Sequence, residues 1–135
     1  MTGKIAYHAS VLSSNRVNFD FPYQGPQRAR LVLRTHPRWG KSLFMQIEKG
    51  QILCRSYTPC TALVRFDDGQ PVRFSGTGPD DNSTETVFIS PYSRFAGLML
   101  KAKTVRVSVP IYQEGSPVFE FNVEAFDIEK YRPSN

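Results

Sequence analysis

Several things are scarce in this chain, and each scarcity excludes something. No apolar run approaches the roughly 20 residues that cross a bilayer as a helix, so no membrane-spanning helix is expected. No apolar core of the signal-peptide kind follows Met1-Thr2-Gly3-Lys4. Histidine is limited to His8 and His36, and cysteine to Cys54 and Cys60. A four-ligand zinc site is hard to assemble from so few residues, and neither metal nor cofactor is expected. Gly-x-Ser-x-Gly is absent, His36 precedes a proline, and His8 sits near the N-terminus. Without a nucleophile, base and orienting acid in recognisable relation, no enzyme is expected.

Two fragments resemble known motifs and fail them. Gly40-Lys41-Ser42 could end a phosphate loop, but that motif needs glycine where Thr35 stands. Asp80-Asp81-Asn82-Ser83-Thr84 is rich in oxygen, yet it lacks the placed glycine and distal glutamate of a calcium loop.

Acidic residues are scarce in the first half. Residues 1–60 hold nine Lys/Arg against two Asp/Glu, a net +7, whereas 61–135 hold eight against ten, a net −2. The basic half either meets an anionic partner or serves only solubility.

Aromatics and turn formers, by contrast, are plentiful. Ten Phe and six Tyr suit sheet faces, and ten Pro with nine Gly argue for many turns. Alternation with period two dominates. It runs through Val17-Phe19-Phe21-Tyr23, Leu31-Leu33, Leu43–Ile47, Ile52–Cys54, Ala62-Val64-Phe66, Val72-Phe74, Thr84–Ile89, Val105–Ile111 and Phe119-Phe121-Val123. Turns are expected at Gln24-Gly25-Pro26, Glu48-Lys49-Gly50, Asp67-Asp68-Gly69 and Gln113–Ser116, and a long loop at Ser75–Ser83. One short helix is expected over about 91–102, with Ser90 as cap, Pro91 at the first helical position, and Phe95, Leu98, Met99 and Ala102 at helical spacing. The expectation is an all-β fold: one antiparallel β-sandwich domain of eight or nine strands over 1–135, with loose tails at about 1–14 and 129–135.

The cysteines stand at the end of one strand-like run and the start of the next. Three readings are open: a structural disulfide pinning a hairpin, a buried reduced pair, and redox or metal chemistry. The first leads and points to a compartment outside the reducing cytosol. The best binding candidates are Arg28, Arg30, Arg34, Arg38 and Lys41 with Trp39. Arginines 28, 30 and 34 share parity and would leave one strand on one face, with Trp39 as a stacking surface. The alternative is a solvated sheet face.

Cys54-x5-Cys60 leading to Val64-Arg65-Phe66-Asp67-Asp68-Gly69 resembles a set of exported proteobacterial proteins. So does Lys101–Val107 followed by Tyr112–Phe121, and the likeness covers roughly residues 30–127. It implies a signal peptide or lipoprotein anchor removed from the full-length form, and a periplasmic or cell-surface location. More distantly, the layout is similar to periplasmic accessory proteins of type VI secretion clusters. The likeness carries no catalytic residue onto this chain. The functional expectation is a non-enzymatic protein that binds another protein, with sheet edges and the Ser75–Ser83 loop as contact surfaces. Two alternatives stand beside it. One is a binder of anionic polymer (cell-wall polymer, lipopolysaccharide or nucleic acid), and the other an inhibitor or immunity protein against a hydrolase.

Overall fold

A computed structural model describes residues 7–36, 38, 40–81 and 83–124. In chain order the elements are β1 Tyr7–Leu12, β2 Val17–Phe19, β3 Gly25–Gln27, β4 Ala29–His36, β5 Gly40–Ile47, β6 Cys60–Phe66, β7 Val72–Thr77, β8 Thr86–Ser90, α1 Tyr92–Met99, β9 Thr104–Ser108 and β10 Val118–Asn122. Eight strands make one antiparallel sheet in the order β1-β4-β5-β8-β7-β6-β9-β10, and β2 and β3 form a separate ribbon.

Alternation decides which face is inside. Leu31 and Leu33 on β4, Met45 and Ile47 on β5, Ala62 and Val64 on β6, Val105 and Val107 on β9, and Phe119 and Phe121 on β10 all enter one buried cluster. Full burial of a side chain of this size contributes about 1.5–3 kcal/mol. Helix α1 adds Phe95, whose ring centroid lies 5.3 Å from that of Phe66 and 5.2 Å from that of Phe74. One end of the core is thereby filled with aromatic carbon.

The two edges of the sheet meet. Just past β1, the Ser14 amide donates to Glu120 O at 2.7 Å. Asn15 then grips β10 twice, with Nδ2 donating to Val118 O at 2.9 Å and Oδ1 accepting the Glu120 amide at 2.7 Å. One curled sheet therefore supplies both layers of the sandwich-like fold. The turn after β1 is thus stitched to the β10 edge at this end. Ser13 behind this seam is fully buried and satisfied: its Oγ accepts the Ala29 amide at 3.0 Å and donates to Asn15 O at 2.9 Å.

Several boundaries differ from the sequence reading, each for a local reason. The expected loose N-terminus is a strand from Tyr7, because His8–Leu12 pair along β4. The run Val17–Tyr23 breaks after Phe19. Pro22 has no amide to give a ladder, and the Tyr23 amide closes a turn onto Asp20 O at 3.1 Å. The expected turn at Gly25-Pro26 becomes β3. Residues 51–54 are not a strand, since the Ile52 amide bonds Thr84 O and the Leu53 amide bonds Pro110 O, leaving only a single bridge to Ile111. The helix covers Tyr92–Met99, shorter than 91–102, with Pro91 at the cap position. Ser90 is not the cap: Pro91 holds that position without a side-chain cap hydrogen bond, and Ser90 ends β8 in register with Ser75. The tail 129–135 lies outside the described residues.

Strand direction sorts the connections. The β5–β6, β7–β8 and β9–β10 connections and the β2–β3 ribbon gather at one end, here the ribbon end. The β4–β5 and β6–β7 turns and α1 occupy the other, the helix end.

Candidate binding surfaces

At the ribbon end, Cys54 and Cys60 are joined by a disulfide with Cα atoms 4.9 Å apart, and no described cysteine is free. The reduced-pair and metal readings therefore give way. The expected hairpin does too: the bond closes the loop Arg55–Pro59 that leads into β6. A second tie crosses the loop, from the Arg55 amide to Thr58 O at 3.0 Å.

Neighbouring strand β7 makes room for the bond. Gly76 pairs with Cys60, and a Cβ there would sit 2.6 Å from Cys60 Sγ. A Cβ at Gly78 would run into Cys54 O. These glycines explain why β7 continues through Thr77, where a loop from Ser75 was expected.

The closed loop presents apolar groups to water. Tyr57 at its tip is 78% exposed, and Leu53 at its base 43%. Tyr112, flanking the Ile52–Ile111 bridge, is also exposed, and Phe21 in the ribbon turn is 75% exposed. Large apolar groups thus concentrate at the ribbon end. The ribbon is itself tied down there. Gln51 Nε2 donates to Tyr23 Oη at 2.9 Å, and Glu114 Oε2 accepts the Asp20 amide at 2.9 Å.

The arginines expected to act together are divided. Arg30 and Arg34 do leave the same face of β4, but four residues of strand separate them by roughly 13 Å. Arg34 is occupied with aromatic rings: its guanidinium carbon lies 5.5 Å from the Phe44 centroid and 6.0 Å from that of Phe88. Its Nε and the nearby Ser42 Oγ are buried without a hydrogen-bond partner among the described residues. Arg38 and Lys41 are exposed at the helix end, far from Arg28 and Arg30. Trp39 lies outside the described residues.

Arg28 and Arg30 meet a third arginine that parity could not reveal. Arg16, in the turn between β1 and β2, joins them around a groove of about 460 Å³. Leu12, Pro26, Gln46 and Glu48 complete its walls. Arg28 Nε donates to Ser13 O at 3.2 Å, and Arg30 Nη1 donates to Ser10 Oγ at 3.1 Å. The Glu48 carboxylate accepts the Arg28 amide at 2.6 Å.

Elsewhere the polar groups serve the fold. Among the described residues the ion pair is Arg106 with Glu120, 3.1 Å apart across β9 and β10. Asp67 takes the left-handed conformation, φ 53°, in the β6–β7 turn. Its Oδ1 accepts the Lys103 and Thr104 amides at 2.9 and 3.0 Å. Those amides, the Thr104 bond foremost, and then the charges of Lys103 and Arg106, hold its carboxyl below the ordinary aspartate range. Among the described residues no group of three His, Cys, Asp or Glu side chains is placed to hold a metal, and no helix is long and apolar enough to cross a membrane.

Compared with known proteins, this chain finds no matching family model, and no curated protein or solved structure matches it significantly.

Proposed function

We propose that this is a non-enzymatic binding protein of an oxidising compartment, periplasmic or at the cell surface, that recognises another protein through its ribbon end. The observation that carries this reading is the cross-linked loop Cys54–Cys60 with Tyr57 78% exposed at its tip. A loop already held in one shape loses little freedom on binding, so more of its contact energy appears as affinity. Tyrosine is favoured at the centres of interfaces because it offers large area with few rotatable bonds. Leu53, Phe21 and Tyr112 supply further apolar area at the same end. The disulfide supports an oxidising compartment, since such a bond persists where thiols are not kept reduced.

A constrained loop with one projecting aromatic also suits insertion into an enzyme cleft, which favours the inhibitor or immunity form of the same reading. His8 lies on β1, and His36 Nδ1 accepts the Arg38 amide at 3.0 Å at the helix end.

The test is affinity capture from a periplasmic extract of the source cell, followed by titration of the retained partner. Tyr57→Ala should weaken that complex by about 30-fold, the loss of a strong anchor, while leaving the unfolding midpoint unchanged. A partner that binds the Tyr57→Ala and Leu53→Ala variants as tightly as the parent would overturn the reading.

A further inference from the structure

We propose that the groove walled by Arg16, Arg28 and Arg30 is a binding site for a phosphate ester, separate from the Tyr57 loop. Three arginines line one groove of about 460 Å³, and Glu48 is the single acidic residue that lines it with them. The lining therefore carries three positive charges against one negative. Glu48 does not pair with any of the three: the ion pair among the described residues is Arg106 with Glu120, and a Glu48 oxygen is spent on the Arg28 amide. Like charges gathered without counter-charges repel, and an anion placed among them relieves that cost.

The arginines are also aimed. A guanidinium carries five N–H donors in a rigid fork. Arg28 commits Nε to Ser13 O, and Arg30 commits Nη1 to Ser10 Oγ. These bonds fix each fork while leaving most of its donors unspent. No described residue takes a hydrogen bond from the Arg16 side chain, which lines the groove from the turn between β1 and β2. Ser13 is fully buried, so the Arg28 anchor is rigid.

Phosphate fits this arrangement better than carboxylate. A carboxylate has two oxygens and one charge, enough for one fork. A phosphate monoester offers three terminal oxygens and nearly two charges, and can engage several forks at once. Leu12, 39% exposed on the groove wall, and Pro26 beside it give apolar surface for the organic part of the ester. The ester could come from a soluble molecule or from a lipid headgroup, and the shared recognition chemistry is the phosphate.

Amide chemical shifts of the full chain would be followed during titration with phenyl phosphate near neutral pH, with acetate at matched ionic strength in parallel. Saturable shifts are expected at residues 12–16, 27–30 and 46–48, with acetate binding at least about tenfold weaker. Arg16→Gln and Arg30→Gln should each weaken phenyl phosphate about tenfold or more, the scale of a lost charge-assisted hydrogen bond. Arg38→Gln, at the helix end, should not change it. Sedimentation with vesicles of phosphatidylcholine containing phosphatidic acid, against phosphatidylcholine alone, separates the sources. Arg16-dependent retention on the acidic vesicles identifies a lipid headgroup, and phenyl phosphate binding without retention identifies a soluble ester. Absence of saturable shifts, equal binding of acetate, or indifference to Arg16→Gln and Arg30→Gln would overturn the proposal. None of these outcomes depends on Tyr57, so the two surfaces are tested separately.

Discussion

At the scale of single residues, two glycines with opposite surroundings give the sharpest contrast. Gly76 faces the disulfide from near the end of β7, and a methyl group there would lie 2.6 Å from Cys60 Sγ. Neither the strand backbone nor a bonded sulfur can easily move aside. Gly76→Ala should destabilise the fold by about 1–3 kcal/mol, the range for overpacking. Gly97 lies exposed within α1, with nothing within 4 Å of an added Cβ. Gly97→Ala should stabilise by about 0.5–1 kcal/mol, because alanine gives up less freedom in a helix. Urea unfolding of both variants reads the two signs directly. Asp67 supplies a pH-dependent case. Its carboxyl is held below the ordinary range in the folded state, so its contribution is full above the unfolded value of about 3.9. It is lost as pH falls through the lower folded value. Asp67→Asn keeps the tolerance for positive φ and an acceptor oxygen but not the charge. The parent should be more stable than this variant near neutral pH, and the gap should close on acidification. A gap that stays constant with pH would contradict the assignment.

The elements show what alternation can and cannot tell. Wherever a strand has one wet and one dry face, as in β6, β9 and β10, period two alone identified it. Residues 51–54 carried the same signal and are not a strand, because their amides bond two different segments. That partition depends on what lies nearby in space, which no local pattern records. The helix was legible from Phe95, Leu98 and Met99, and its start to within a residue, but it ends at Met99 and not near 102. Arg30 and Arg34 were correctly placed on one face. Their separate employments, a groove and an aromatic pair, depended on Arg16, Phe44 and Phe88 from other parts of the chain. The disulfide loop was legible because two cysteines leave one intramolecular pairing. Its energetic role follows from its length: closing a loop with a sequence separation of 6 should contribute about 2 kcal/mol in the chain-entropy model. The double replacement Cys54→Ala with Cys60→Ala should lose about that much in denaturant unfolding, and the parent should lose it on adding reductant.

For the whole molecule, Ser14 and Asn15 tie the turn after β1 to β10, so the two edges of the sheet meet at the ribbon end. One end gathers a cross-linked loop with exposed Tyr57 and Leu53, a ribbon turn with exposed Phe21, and a groove walled by three arginines. This concentration of unpaired apolar and cationic surface at one end is what the account explains by partner binding. It rests on the disulfide being the native state of the cysteines, and that is open to direct measurement. Thiols would be trapped with a maleimide at the moment of lysis of the source cells, and the intact mass of the purified chain recorded before and after reduction. The account predicts no added maleimide without reductant and two after reduction and a second labelling; two maleimides on the unreduced chain would contradict it.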